Sequence, residues 1–110
     1  MQDPITNFIN KYNLRTNPET RYIDLVSEVS ELGKEILTAT SYGKNEFAKT
    51  TNAEAELGDC LFSLFALCTE VNINAEDALQ KALAKYEARF TQKGHIGSSL
   101  LGDNNERTKI

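Results

Sequence analysis

Glu56-Leu57-Gly58-Asp59-Cys60-Leu61-Phe62-Ser63-Leu64-Phe65-Ala66-Leu67-Cys68 is the stretch on which the fold turns. It contains no proline, shows no period-two alternation, and is apolar on nearly every side. A helix apolar all round is a buried helix. It is far short of the roughly 20 apolar residues that a membrane span needs. Asp59 stands in its middle although Asp is a poor helix former there. A carboxylate so placed has little water around it, and burying it unpaired costs several kcal/mol.

Working outward, Thr51 and Glu54 form a T-x-x-E capping box, so the spacing predicts a helix from Thr51 to about Val71. Upstream, Asn17-Pro18-Glu19 reads as N-cap, first helical proline and first-turn acid. The helix it opens runs to about Thr40, with Tyr22, Leu25, Val26, Val29, Leu32, Ile36 and Leu37 at helical spacing. Asp3-Pro4 repeats the signal for a short helix ending near Tyr12. Asn72-Ile73-Asn74 is a turn, and a fourth helix follows from Ala75 to about Gln92, stopped by Gly94. The expectation is an all-α antiparallel bundle of about four helices over residues 1–94, with 95–110 as a mobile tail or an oligomer contact. Gly33 and Gly58 lie inside helices, either as points of close helix approach or as tolerated glycines.

The chain has 110 residues, enough for one core. Twelve Lys+Arg against sixteen Asp+Glu give a net charge of −4, and the pI is about 5.0. That balance argues against a nucleic-acid partner, and no apolar run suits a membrane. The first residues lack a signal peptide's basic region and apolar core, so the expected location is cytoplasmic. Cys60 and Cys68 lie eight apart in one helix, about 12 Å along its axis, too far for a disulfide. They read as buried thiols of a reducing compartment.

The second helix carries Asp24, Glu28, Glu31 and Glu35 on one face, and the third carries Glu56 and Asp59. For Asp24 and Glu35 alone, a solvated acidic face is the better reading. No Lys or Arg lies within the third helix, and Lys34 is the one base near the middle of the second. Two acids facing two acids repel strongly in a low dielectric. Either some are protonated or a cation lies between them. Oxygen ligands alone match a hard ion, Mg²⁺ or Mn²⁺ as its substitute. Glu28, Glu31, Glu56 and Asp59 are the candidate ligands, and their charge equals the net charge of the chain. A di-iron bundle would require E-x-x-H pairs, and the single histidine, His95, lies in the tail.

The fourth helix presents Lys81, Lys85 and Arg89 at i, i+4 and i+8. Alone they read as a solvated face with long stems lying on the protein. Beside a Mg²⁺ site they gain a second reading, since Mg²⁺ commonly shares its shell with substrate phosphates. Phe8, Tyr12, Tyr42 and Phe47 are aromatic residues outside the central helix, expected as core or bundle caps, with base stacking as the alternative.

Leu25-Val26-Ser27-Glu28-Val29-Ser30-Glu31-Leu32, then Glu56-Leu57-Gly58-Asp59-Cys60-Leu61-Phe62, then Lys85-Tyr86-Glu87-Ala88-Arg89-Phe90 resembles the MazG-type all-α nucleoside triphosphate pyrophosphohydrolases. The resemblance runs from about Arg21 to Gly97. It implies a Mg²⁺-dependent hydrolase that converts a nucleoside triphosphate to monophosphate and pyrophosphate. It implies metal binding by Glu28, Glu31, Glu56 and Asp59, and substrate contacts from Lys81, Lys85, Tyr86 and Arg89. Glu31 would act on the attacking water and Lys85 on the phosphate oxygens. Many members carry Asn where this chain has Tyr86. Members usually form homodimers or homotetramers. Related phosphoribosyl-ATP pyrophosphohydrolases and dimeric dUTPases, or a non-catalytic binding bundle, are the alternatives.

Overall fold

The structure is a computed structural model, and it describes residues 1–94 and Gly97. The expected tail, 95–110, therefore lies outside the described residues except for Gly97. Four helices account for most of the rest: α1 (Gln2–Lys11), α2 (Pro18–Ala39), α3 (Thr51–Glu70) and α4 (Ala75–Lys93). No strand occurs among the described residues, and the all-α expectation holds.

Helix α2 starts as the sequence predicts. Asn17 is extended, its side chain accepts the Thr20 N–H at 2.7 Å, and Pro18 follows. Helix α4 starts at Ala75 as expected, and the starts of α3 and α1 are corrected. Helix α3 is capped by Thr50 rather than Thr51: the Thr50 hydroxyl accepts the Ala53 N–H at 2.9 Å. The same hydroxyl reaches Glu35 Oε2 on α2 at 3.4 Å. Of two adjacent threonines, the one with a tertiary partner becomes the cap, and the T51-x-x-E54 box does not form. Helix α1 begins at Gln2, with Met1 as a cap that makes no side-chain bond. Pro4 is tolerated because first-turn N–H groups have no helical acceptor anyway.

Three helix ends share one device. Leu14 N–H bonds Ile9 C=O at 2.8 Å, Tyr42 bonds Leu37 at 2.7 Å, and Ile73 bonds Cys68 at 2.9 Å. These are the long bonds of Schellman motifs, which need a left-handed residue just before the donor. Asn13 (φ 56°) and Asn72 (φ 61°) suit that conformation, whereas Ser41 (φ 50°) carries it with a Cβ penalty. The stop at Gly94 (φ 79°) is as predicted.

The contacts fall into two compact units, Met1–Ala75 and a second one beginning at Glu76. In the first, α2 runs antiparallel to α3. Glu35 meets Thr50 at one end, Glu28 meets Glu56 and Asp59 midway, and Arg21 meets Glu70 at the other end. Helix α1 also opposes α3: Gln2 and Thr6 bond Thr69, and the Phe8 ring meets Phe62 edge-on at 5.8 Å. Ile9 on α1 is fully buried.

The expectation that α3 is buried all round fails. Its buried residues are small, Ala53, Cys60, Ser63, Ala66 and Thr69, while Leu57, Leu61 and Leu64 are exposed. Small side chains let α2 and α1 approach one face, and one chain has too little mass to cover the other. Cys68 is correspondingly half-buried rather than buried, although both thiols are free as expected. A Cβ on Gly33 or Gly58 would meet nothing within 4 Å, so neither glycine marks close helix approach within the chain.

Candidate functional site

The register of α2 against α3 creates the site. On α2 the half-buried positions are Arg21, Leu25, Glu28, Leu32, Glu35 and Ala39, a stripe at helical spacing. Two acids therefore lie on the packing face among leucines. On α3, Glu56 is half-buried and lies one turn before the buried Cys60.

Carboxylate oxygens of Glu28, Glu56 and Asp59 all lie within 4.8 Å of one another. The structure thus unites three of the four acids singled out in the sequence. Glu31 is exposed and outside that mutual distance. Its charge still acts on Glu56: partial burial first, then the charges of Asp59, Glu31, Glu28 and Glu35, push the Glu56 carboxyl up from its ordinary value. Within Met1–Ala75 no Lys or Arg forms an ion pair with Glu28, Glu56 or Asp59. Asp59 is itself exposed, which corrects the expectation that it is shut away from water. Residue 59 points along the edge of the α2–α3 contact, where solvent reaches it.

Two neighbours of the cluster were not legible in the sequence. Burial, then the charges of Glu28, Glu56 and Asp59, push the Cys60 thiol up, so it stays protonated and is no nucleophile. Glu35, expected on a solvated face, is half-buried and tied to the cap of α3 through Thr50. Both follow from which residues face each other across two helices. Asp24 is exposed, as expected.

Oxygen donors converging from two helices, with mutual repulsion and no ion-pair partner within Met1–Ala75, fit a hard divalent cation. Beyond the acids, a pocket of about 470 Å³ lies between α2, α3 and their connecting segment, with Phe47 in its wall. Phe8, Tyr12, Tyr42 and Phe47 are all roughly half-exposed or more, so none is the core residue the sequence suggested.

The second unit carries the basic stripe of α4. Lys81 is exposed, Lys85 and Tyr86 are half-buried, and Arg89 is buried at 5% exposure. Arg89 therefore departs from a solvated face. The Lys85 ammonium lies 5.1 Å from the centre of the Tyr86 ring.

A family model described as the MazG nucleotide pyrophosphohydrolase domain matches residues 16–92. The chain belongs to the MazG nucleotide pyrophosphohydrolase family. The match takes in α2 and α3 whole and α4 up to its last residue, and leaves out α1. This MazG domain thus has its matched region over all the acids discussed above. Members of the family generally depend on a divalent metal, and the carboxylate group of this MazG domain is a donor set of that kind. No curated protein and no solved structure matches the chain. Among the described residues, no helix is long and apolar enough to cross a membrane.

Proposed function

We propose that this MazG domain hydrolyses a nucleoside triphosphate, common or modified, ribose or deoxyribose, to the monophosphate and pyrophosphate with Mg²⁺. The observation that carries the reading is the convergence of Glu28, Glu56 and Asp59 oxygens from two facing helices. These three residues hold the ion, and Glu31, one turn from Glu28 on the same helix, completes the acidic set. When bound, the ion neutralises phosphate charge and lowers the pKa of water, with Mn²⁺ as a substitute.

Glu31 is the residue assigned to the water. Exposed beside the cluster, its carboxylate orients the attacking water and accepts its proton. Water oxygen bonds to one phosphorus of the α–β linkage, the bond from that phosphorus to the bridging oxygen breaks, and the departing group keeps the electron pair, which gives monophosphate and pyrophosphate. On α4, Lys85 and Arg89 are assigned to the phosphate oxygens, with Lys81 and Tyr86 as further substrate contacts. The support for α4 is the resemblance of Lys85–Phe90 to the family's fourth helix.

A homodimer or homotetramer belongs to the same proposal. On α2, Tyr22, Val26, Val29 and Ile36 are exposed in line with the open Gly33, and on α3 Leu57, Leu61 and Leu64 form a second exposed stripe. Contiguous apolar faces of this kind mark association. Two unbridged thiols agree with a cytoplasmic setting.

The test is pyrophosphate release from a panel of nucleoside triphosphates with and without Mg²⁺, on wild type and Asp59→Asn. Mg²⁺-dependent release that disappears in a folded Asp59→Asn supports the reading. An unchanged rate in that variant overturns the site.

A further inference from the structure

Gln2, the first residue of α1, is half-buried and uses its whole amide on the connection between α3 and α4. Its Oε1 accepts the Ala75 N–H at 2.7 Å. Its Nε2 donates to the Ile73 carbonyl at 3.1 Å and to Thr69 Oγ1 at 3.4 Å. The backbone settles which end of the amide is which: an N–H only donates and a carbonyl only accepts, so a flipped amide would oppose both. We propose that Gln2 is a positioning residue for the substrate: by tying the end of α3, the turn and the first residue of α4 to α1, it sets the direction in which α4 carries Lys81, Lys85, Tyr86 and Arg89. The inference rests on the reading that those residues contact the triphosphate.

The place of the tie is the first argument. Ala75 is both the last residue of the first compact unit and the first of α4. The covalent path from that unit into α4 runs through it. Its N–H is one of the four at a helix start that the helix itself cannot satisfy. A side chain just before the helix commonly fills that role; here a residue seventy-three positions upstream does. The other end of the tie is anchored independently of Gln2. The Thr6 and Thr69 hydroxyls bond at 2.8 Å, and the Phe8 ring meets Phe62 edge-on.

Leverage is the second. Lys85 lies ten residues beyond Ala75, about 15 Å along the helix. A tilt of about 5° at Ala75 moves it by about 1 Å, a misplacement that can cost about a hundredfold in rate. Gln2 itself stands away from the acids. Its partner Thr69 is thirteen residues beyond Glu56 on α3, about 20 Å along the axis. Ion binding and α4 positioning are therefore separable. The tie also comes from outside the residues that the family model matches, 16–92, so nothing in the family reading uses it.

Calorimetry on the full chain tests this, with Mg²⁺ alone and with inorganic tripolyphosphate plus Mg²⁺ as probes. Gln2→Met keeps the length of the side chain and removes all three hydrogen bonds. It is expected to bind tripolyphosphate about tenfold more weakly and Mg²⁺ alone as wild type does. Thr6→Val removes a bond between α1 and α3 but leaves the tie, and should keep both affinities. By hydrogen exchange, the Ala75 amide should be protected in wild type and lose that protection in Gln2→Met. Four results overturn the inference while sparing the proposed function. One is wild-type tripolyphosphate affinity in Gln2→Met. The second is an equal loss of Mg²⁺ and tripolyphosphate affinity in that variant, the mark of a loosened fold. The third is a loss in Thr6→Val as large as in Gln2→Met, which makes α1 packing the cause. The fourth needs no variant: an unprotected Ala75 amide in wild type. A wild type that binds neither Mg²⁺ nor tripolyphosphate overturns the inference and the proposed function together.

Discussion

Arg21 in the first turns of α2 and Glu70 at the last residue of α3 meet at 3.3 Å, with side chains only 11% and 5% exposed. Arg15 adds a second guanidinium at 3.2 Å, half-exposed, and the Thr16 N–H bonds the other carboxylate oxygen at 3.3 Å. One carboxylate thus ties the α1–α2 connection and the start of α2 to the end of α3. Glu70→Gln keeps the shape but removes the charge that all three donors use. The expected loss is about 2 kcal/mol, the scale of hydrogen bonds to a charged group, read from the denaturant midpoint.

The same carboxyl sets a pH dependence. Burial pushes Glu70 up, but the Thr16 N–H and the Arg15 and Arg21 guanidiniums outweigh it, and the net shift is downward. The unfolded chain then takes up this proton at a higher pH than the folded one. The stabilisation is complete at neutral pH and is lost as pH falls below about 4.3, the ordinary Glu value, through the lower folded value. Melting curves from neutral to acid should fall more steeply for wild type than for Glu70→Gln, with the two converging in acid.

At the other carboxylates the sign is reversed. Glu56 is held up by burial and by its acidic neighbours, so the cluster opposes folding when it carries no cation. Asp59→Asn removes one repelling charge and should raise the melting temperature measured in chelator. Added Mg²⁺ should stabilise wild type, by about 2.7 kcal/mol at a hundred times the dissociation constant, and should not shift Asp59→Asn.

Thr50 and Thr51 are separable by mutation. Thr50→Ala loses both the cap to Ala53 and the contact to Glu35, for a cost of about 1 kcal/mol. Thr51→Ala should stay within about 0.5 kcal/mol, as for surface substitutions generally. Equal losses by denaturant titration would place the cap at Thr51 after all.

Ser41 ends α2 in a left-handed conformation that glycine adopts freely. Ser41→Gly should raise stability by about 1 kcal/mol, the strain a left-handed L-residue carries, measured by thermal melts.

Much of the helical layout could be read before any coordinates. Asn17-Pro18 marks the start of α2, Gly94 the end of α4, and no alternation suggests a strand. The acids Glu28, Glu56 and Asp59 stood out because a helix of leucines and phenylalanines has no local reason to hold Asp59. Three details did not follow. The cap of α3 moved by one residue because Glu35, fifteen residues upstream, bonds Thr50. Glu31 stood apart from the close group because a step of three on α2 turns it toward solvent. The ion pair of Arg21 with Glu70 joins residues forty-nine apart, and no local pattern signals it.

Helical periodicity, capping residues and the shortage of positive charge among the acids are properties of the chain itself, and they determined the all-α class and the acidic residues to watch. The tertiary structure alone decided which side of α3 is buried, which three carboxylates converge, and where an apolar pocket opens beside them. The physical reason is that periodicity sets the direction of a side chain about its own helix axis. The register and rotation of one helix against another are set by small residues such as Ala53, Cys60, Ser63 and Ala66, whose lack of bulk leaves no mark in a hydrophobic pattern.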